Sequence, residues 1–174
     1  MPKNPRDLTA LVVDDTPLSQ KMLVSMLKAF GVGAVAAAND GGEALAKLDA
    51  VKPDVILVDW EMSPMSGIDF VSRVRRTAGN PYRRIPIVMV TAYSDVTDVV
   101  TARDAGVDEY LVKPLTFDTV ASHMKLAIEK RRQFIRSDSF VGPDRRRRSQ
   151  PISGQDRRSP PVHIKLRRVP RQKV

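Results

Sequence analysis

Asp14 and Asp15 follow the apolar run LTALVV (8–13), Asp59 follows DVILV (54–58), Thr91 follows IPIVMV (85–90), and Lys113 follows EYLV (109–112). With AVAAA (34–38), these runs are continuous enough to be strands buried on both faces, as in a parallel sheet. Ligands of an open α/β sheet collect beyond the carboxyl ends of its strands. Four of the five strands therefore deliver a polar group to one rim. Singly, each group has a structural explanation: Asp14-Asp15 before Thr16-Pro17 reads as a helix cap, Asp59 can begin a turn, and Asp95 can cap the helix after Thr91. Jointly they have a chemical one. Three carboxylates on one rim repel each other unless a cation joins them. A hard divalent ion, Mg2+, takes oxygen ligands and shares its remaining positions with phosphoryl groups. Lys113 adds a positive charge and Thr91 a hydroxyl donor for the same anion. The set suits a carboxylate nucleophile that accepts phosphate.

The segments between the strands carry apolar residues three and four apart, which predicts helices with one buried stripe each. The stripes are Leu18, Met22, Met26 and Ala29; Ala44, Leu45 and Leu48; Phe70, Val71 and Val74; Val96, Val99 and Val100; and Val120, Met124, Ala127 and Ile128. Asp15-Thr16-Pro17 offers a cap with proline in the first turn, and Gly31 and Gly106 stand just past helix ends. Five strand-then-helix units in about 130 residues predict a doubly wound α/β domain, a five-stranded parallel sheet with helices on both faces.

The 174 residues carry a formal charge of +9, unevenly placed. Residues 1–132 hold 17 basic and 17 acidic side chains, and residues 133–174 hold 12 and 3. The expected organisation is a domain over 1–132 and a basic, Pro/Arg-rich tail over 133–174, largely disordered for want of apolar residues. Within the tail, Gly142-Pro143-Asp144-Arg145-Arg146 is echoed by Gly154-Gln155-Asp156-Arg157-Arg158, and Val162 to Arg167 alternate like an exposed strand. Such a tail suits an anionic partner, and the alternative function it raises is phosphorylation-controlled nucleic-acid binding. The absence of cysteine excludes disulfides and thiol catalysis. Without an apolar run near the roughly 20 residues of a transmembrane span, the expected location is the cytoplasm.

As a set, Asp14-Asp15, Asp59-Trp60, Met65, Gly67, Thr91-Ala92 and Lys113-Pro114 resemble the response-regulator receiver domain of two-component signalling, the CheY-like family, over residues 8 to about 130. The resemblance implies a flavodoxin-like strand order 2-1-3-4-5 and Asp59 as phosphoacceptor. It implies Mg2+ on the side chains of Asp15 and Asp59 and the backbone carbonyl of Glu61, with Asp14 acting largely through water. Lys113 would contact the phosphoryl oxygens, Thr91 and the Ala92 N–H would close on them, and Tyr110 would be the aromatic that changes rotamer. Lys113-Pro114 would be a cis peptide.

The implied phosphodonor is a sensor histidine kinase or phosphotransfer protein docking near helix 1 through Leu18, Met22 and Leu23, although Met22 is weighted toward the core. The implied output is a changed helix 4/strand 5/helix 5 surface, read by a downstream protein. The chain then reads as a single-domain phosphoacceptor and not an enzyme, with at most self-directed phosphotransfer and autodephosphorylation. One departure stands out: the family's Met-Pro is Met62-Ser63 here, with proline one position later at Pro64, so the loop after Asp59 is expected to differ in shape. Glu61, an acid beside the acceptor, bears on how long a phosphoryl group persists.

Overall fold

The computed structural model describes residues 4–137 and 140–145. Five parallel strands, β1 (Thr9–Val13), β2 (Ala34–Ala38), β3 (Val55–Asp59), β4 (Ile87–Thr91) and β5 (Glu109–Val112), lie in the order β2-β1-β3-β4-β5. Helices α1 (Pro17–Phe30), α2 (Gly41–Val51), α3 (Gly67–Arg76), α4 (Val96–Ala105) and α5 (Phe117–Glu129) connect and follow them. Successive residues of a strand point to opposite faces, and the core divides accordingly. Leu11, Val13, Ile56, Val58, Ile87 and Met89 pack with residues of α2, α3 and α4. Ala10, Val12, Val55, Leu57, Val88 and Val90 pack with Leu23 and Leu27 of α1 and Val120, Met124 and Ala127 of α5. That double burial is why β1, β3 and β4 read as unbroken apolar runs; the edge strands β2 and β5, expected to be buried on both faces as well, are only partly buried because each has a neighbour on one side alone.

Two helices are rotated relative to the expected stripes. In α1 the buried residues are Leu23 and Leu27, whereas Leu18 and Met22 are exposed, so the core role weighted toward Met22 is corrected. In α4 the small Ala102 and Ala105 are buried, while Val96, Val99 and Val100 face solvent. Both helices carry two apolar arcs, and periodicity does not choose between them. The sheet does, taking the branched leucines in one case and the alanines that permit close approach in the other.

The helix ends follow local rules. Pro17 occupies the first turn of α1, and Gly31 and Gly106 close α1 and α4 with φ of 100° and 103° in the left-handed region. Ser66 caps α3 by accepting from Asp69 N at 3.1 Å. Just inside that helix, Gly67 lies directly under the end of β3: a Cβ there would stand 2.1 Å from the carbonyl oxygen of Asp59 and 3.0 Å from its carbon. Backbone cannot yield as a flexible side chain can. Gly67→Ala is therefore expected to destabilise the fold by about 1–3 kcal/mol, visible as a lowered urea midpoint. An unchanged midpoint would show that the β3–α3 loop is looser than this contact requires.

Regular structure continues past residue 132. Residues Phe134–Arg136 (β6) and Val141–Pro143 (β7) pair as an antiparallel hairpin, and Phe140 is buried. Arg132 anchors it, donating to the carbonyls of Asp144, Val107 and Asp108. Gly142 packs so closely on Gly106 that a Cβ would lie 2.9 Å from the Gly106 Cα. Arg145 lies 4.0 Å above the Phe140 ring and pairs with Asp104 at 3.4 Å. Two aromatics, Phe134 and Phe140, and a few arginine contacts suffice because the hairpin packs on an existing surface and needs no core of its own. The second copy of the Asp-Arg-Arg pattern and the alternating stretch 162–167 lie outside the described residues.

Beneath the hairpin sits a buried charged pair that the sequence pattern did not flag. Arg75 is 1% exposed, and its guanidinium donates to the carbonyls of Gly106 (2.9 Å), Arg83 and Ile85 (both 2.7 Å) and to Asp108 Oδ2 (2.8 Å). Asp108 also accepts from Ile87 N at 2.8 Å. A buried charge is tolerated only with such full pairing.

Candidate functional site

The rim expected from the strand ends is present. Asp14 follows β1, Asp59 is the last residue of β3, Thr91 the last of β4, and Lys113 follows β5. Carboxylate oxygens of Asp14, Asp15 and Asp59 all lie within 4.8 Å of one another. Lys113 Nζ donates to Asp59 Oδ1 at 2.8 Å and stands 4.0 Å from Asp14 Oδ2. The Lys113 N–H bonds the Thr91 carbonyl at 2.7 Å, and, as the resemblance implies, the Lys113–Pro114 peptide is cis.

The three carboxylates differ in environment. Asp14 is fully buried, with Oδ1 accepting from Thr16 N at 2.9 Å and Oδ2 from Ser19 Oγ at 2.5 Å. Asp14 thus anchors the first turn of α1, whose N-cap Thr16 makes no side-chain cap bond of its own. Asp15 is exposed, receiving Ser63 N at 3.3 Å. Asp59 is 6% exposed, and burial holds its carboxyl above the ordinary value; the Lys113 hydrogen bond and charge oppose this, while the charges of Asp14 and Asp15 add to it. Desolvation and like charge disfavour the ionised acceptor, whereas a nearby cation favours it. The oxygen-only donor set, with Asp15 open to solvent and Asp14 occupied by protein hydrogen bonds, fits Mg2+ held by Asp15 and Asp59 directly. Asp14 fits a role behind them.

An open cleft of about 450 Å³ beside the rim is lined by Asp15, Trp60, Glu61, Met62, Ser63 and Ser66. The loop forming it contains a cis Ser63–Pro64 peptide. The Glu61 side chain is engaged by the Tyr93 hydroxyl, which donates to it. Thr91 is buried and its hydroxyl accepts from Tyr93 N at 3.0 Å; Ala92, beside it, is exposed. Tyr110 is half-buried, its hydroxyl donating to the Tyr93 carbonyl at 3.0 Å. Trp60 meets Tyr93 and Tyr110 edge-on, at 5.7 and 6.3 Å between centroids.

The structure thus brings together Asp14, Asp15, Asp59 and Lys113, with Thr91 and Tyr110 joined through Tyr93. Sequence reasoning missed Ser19 and Tyr93. Ser19 is one helical turn past the acidic pair and has a visible signal in that spacing. Tyr93 has none, because its partner Glu61 is 32 positions away.

Comparison with known proteins bears on the same residues. The family model described as "Response regulator receiver domain" matches residues 10–125. Chemotaxis protein CheY1 of Helicobacter pylori is 37% identical over 119 residues, covering 68% of this chain and 94% of that protein. DNA-binding response regulator MtrA of Mycolicibacterium smegmatis is 38% identical over 104 residues, 60% of this chain but only 43% of MtrA. Among solved structures, Vibrio cholerae chemotaxis protein CheY4 superposes with a TM-score of 0.64 at 32% identity, covering 69% of this chain and 98% of that one. A response regulator structure from Chloroflexus aurantiacus gives 0.65 at 29% identity, covering 70% and 98%.

Proposed function

Since the chain belongs to the response regulator receiver domain family, we propose that Asp59 accepts a phosphoryl group from a phosphohistidine of a sensor histidine kinase or phosphotransfer protein. The observation that carries this is Lys113 Nζ at 2.8 Å from Asp59 Oδ1 amid three converging carboxylates. A carboxylate oxygen of Asp59 bonds to phosphorus as the donor's P–N bond breaks. The imidazole nitrogen leaves with the bonding pair, takes a proton from solvent, and an aspartyl phosphate remains. Lys113 balances the charge that develops on the phosphoryl oxygens. Asp15 and Asp59, with the Glu61 carbonyl and Asp14 in support, would hold Mg2+, which would supply further positive charge to acceptor and phosphoryl group. In this role the chain is a phosphoacceptor whose catalysis is at most self-directed.

Aspartyl phosphate adds nearly two negative charges and three acceptors at the rim. Thr91 and the Ala92 N–H move toward them, which breaks the Thr91–Tyr93 bond and frees Tyr110 to follow. The readout is a two-state shift in the α4/β5/α5 surface, where Val96, Val99, Val100, Val112 and Phe117 are already exposed. Exposed Leu18 (78%) and Met22 (39%) beside the rim provide the apolar contact for the phosphodonor. No helix of the described residues is long and apolar enough to cross a membrane, which accords with action in the cytoplasm.

The test uses the full chain. With Mg2+ and acetyl phosphate, intact mass gains one phosphoryl group and Trp60 fluorescence changes; chelating the metal prevents both. No mass gain at saturating donor would overturn the reading. Mg2+ alone is expected to raise the melting temperature, since a ligand at 100 times its Kd stabilises the folded state by about 2.7 kcal/mol. Asp15→Asn is expected to remove most of that rise.

A further inference from the structure

At the opposite end of the sheet, the amino ends of β4 and β5 meet the C-termini of α3 and α5 under the β6–β7 hairpin. A recess of about 170 Å³ there is lined by Arg75, Arg84, Arg131, Arg132, Asp108 and Phe134, among others. The charges do not balance. Four guanidinium groups face one carboxylate, and the two helix C-termini contribute only about half a negative elementary charge each. Within the lining of the recess, positive charge is thus in excess by roughly two. The Oδ2 of Asp108 accepts from Arg75 and from Ile87 N, at the floor of the recess. The repulsion registers on the innermost group: burial lowers the Arg75 guanidinium below its ordinary value, Asp108 opposes this, and Arg132 adds to the lowering.

The donors divide into two kinds. Arg75 and Arg132 are occupied by carbonyls and Asp108, and they build the floor of the recess. Arg84 and Arg131 are exposed, and among the described residues neither is paired with an acidic side chain; the recorded contact of Arg84 is the Phe134 ring, 5.4 Å from its Cζ. The Phe134 ring contacts both arginines, the Arg75 Cζ lying 5.9 Å from its centroid. The hairpin that carries Phe134 therefore completes the recess.

We propose that this recess binds a small phosphate-bearing anion, with Arg84 and Arg131 as the arms that grip it. The planar guanidinium fork matches phosphate oxygens bidentately, and such charge-assisted bonds are the strong ones. Size selects the ligand class: the recess is smaller than the roughly 300–1,000 Å³ of sites for drug-sized molecules. It admits one or two phosphate groups, not a whole nucleotide. A diphosphate can enter free, or as the end of a nucleoside diphosphate whose base remains outside. The site is independent of the acceptor rim, and phosphorylation of Asp59 is not needed to fill it.

Isothermal titration of the full chain with sodium pyrophosphate, at constant ionic strength and with EDTA present, tests this. Removing the metal leaves the acidic rim repulsive to anions. One saturable site with Kd below about 1 mM is expected, weakened roughly tenfold or more in Arg84→Gln/Arg131→Gln. Both substituted side chains are exposed, so an unchanged melting temperature and unchanged Mg2+-dependent phosphorylation on Asp59 should accompany that loss. A parallel titration with ADP separates the two sources: tighter binding than pyrophosphate identifies a nucleotide terminus, and equal or weaker binding identifies the free anion. No saturable site, or a site equally strong in the double variant, overturns the proposal.

Discussion

Asp59→Asn is expected to abolish the phosphoryl mass gain completely, in the presence of Mg2+ and saturating acetyl phosphate. The amide lacks the anionic oxygen that attacks phosphorus, while its shape leaves Lys113 and Asp14 in place. The same substitution is expected to raise, not lower, stability in EDTA at neutral pH. In the folded protein burial, Asp14 and Asp15 outweigh Lys113 and hold the Asp59 carboxyl above its ordinary value. A raised value means that its contribution to stability is fully present below the unfolded-state value of about 4 and is lost as pH rises through the folded one. At neutral pH the ionised group opposes folding, and the amide does not. The gain in melting temperature should therefore shrink as the pH is lowered toward the ordinary carboxylate range. A second site of phosphorylation would leave residual mass gain in the variant and contradict Asp59 as the acceptor. A destabilised variant in EDTA would contradict the charge argument separately.

The second large effect is structural and lies at the other end of the sheet. Arg75→Met keeps much of the buried volume but removes four donated hydrogen bonds. Asp108 would be left with Ile87 N, and the carbonyls of Gly106, Arg83 and Ile85 would lose a buried donor. Breaking one side of a buried pair costs about 3–5 kcal/mol, against a total of roughly 5–15 kcal/mol for a domain. A large fall in the urea midpoint is expected, with faster amide exchange in the hairpin and at the start of β5. Pairing it with Asp108→Leu in a double-mutant cycle isolates the coupling; the double variant should recover part of the loss, because the orphaned charge is gone. A loss below about 1 kcal/mol for the single change would be an ordinary surface value and would deny Arg75 this role.

These two experiments probe opposite ends of one sheet, and the ends were unequally legible in the sequence. Asp14, Asp15, Asp59, Thr91 and Lys113 could be placed on one rim before any coordinates, because apolar runs mark strands and the first polar residue after each run marks where a parallel sheet presents its ligands. The doubly wound class followed from five strand-helix units, and the order of the strands from the family resemblance. Local signals also sufficed for Pro17, Gly31 and Gly106, whose roles depend on backbone geometry within a single turn.

What only the tertiary structure decided depends on contacts between distant positions. The buried face of α1 passed from Leu18 and Met22 to Leu23 and Leu27 because the sheet selects one of two apolar arcs that a period of 3.6 cannot rank. Glu61 received Tyr93, and Arg75 received Asp108, across 32 and 33 positions respectively, separations over which composition and periodicity carry no pairing information. The segment after residue 132 looked too poor in apolar residues to build a core of its own. Its hairpin is ordered by a surface that the first 132 residues build, where Phe140, Gly142 and Arg132 find carbonyls, a glycine and a helix end already in position.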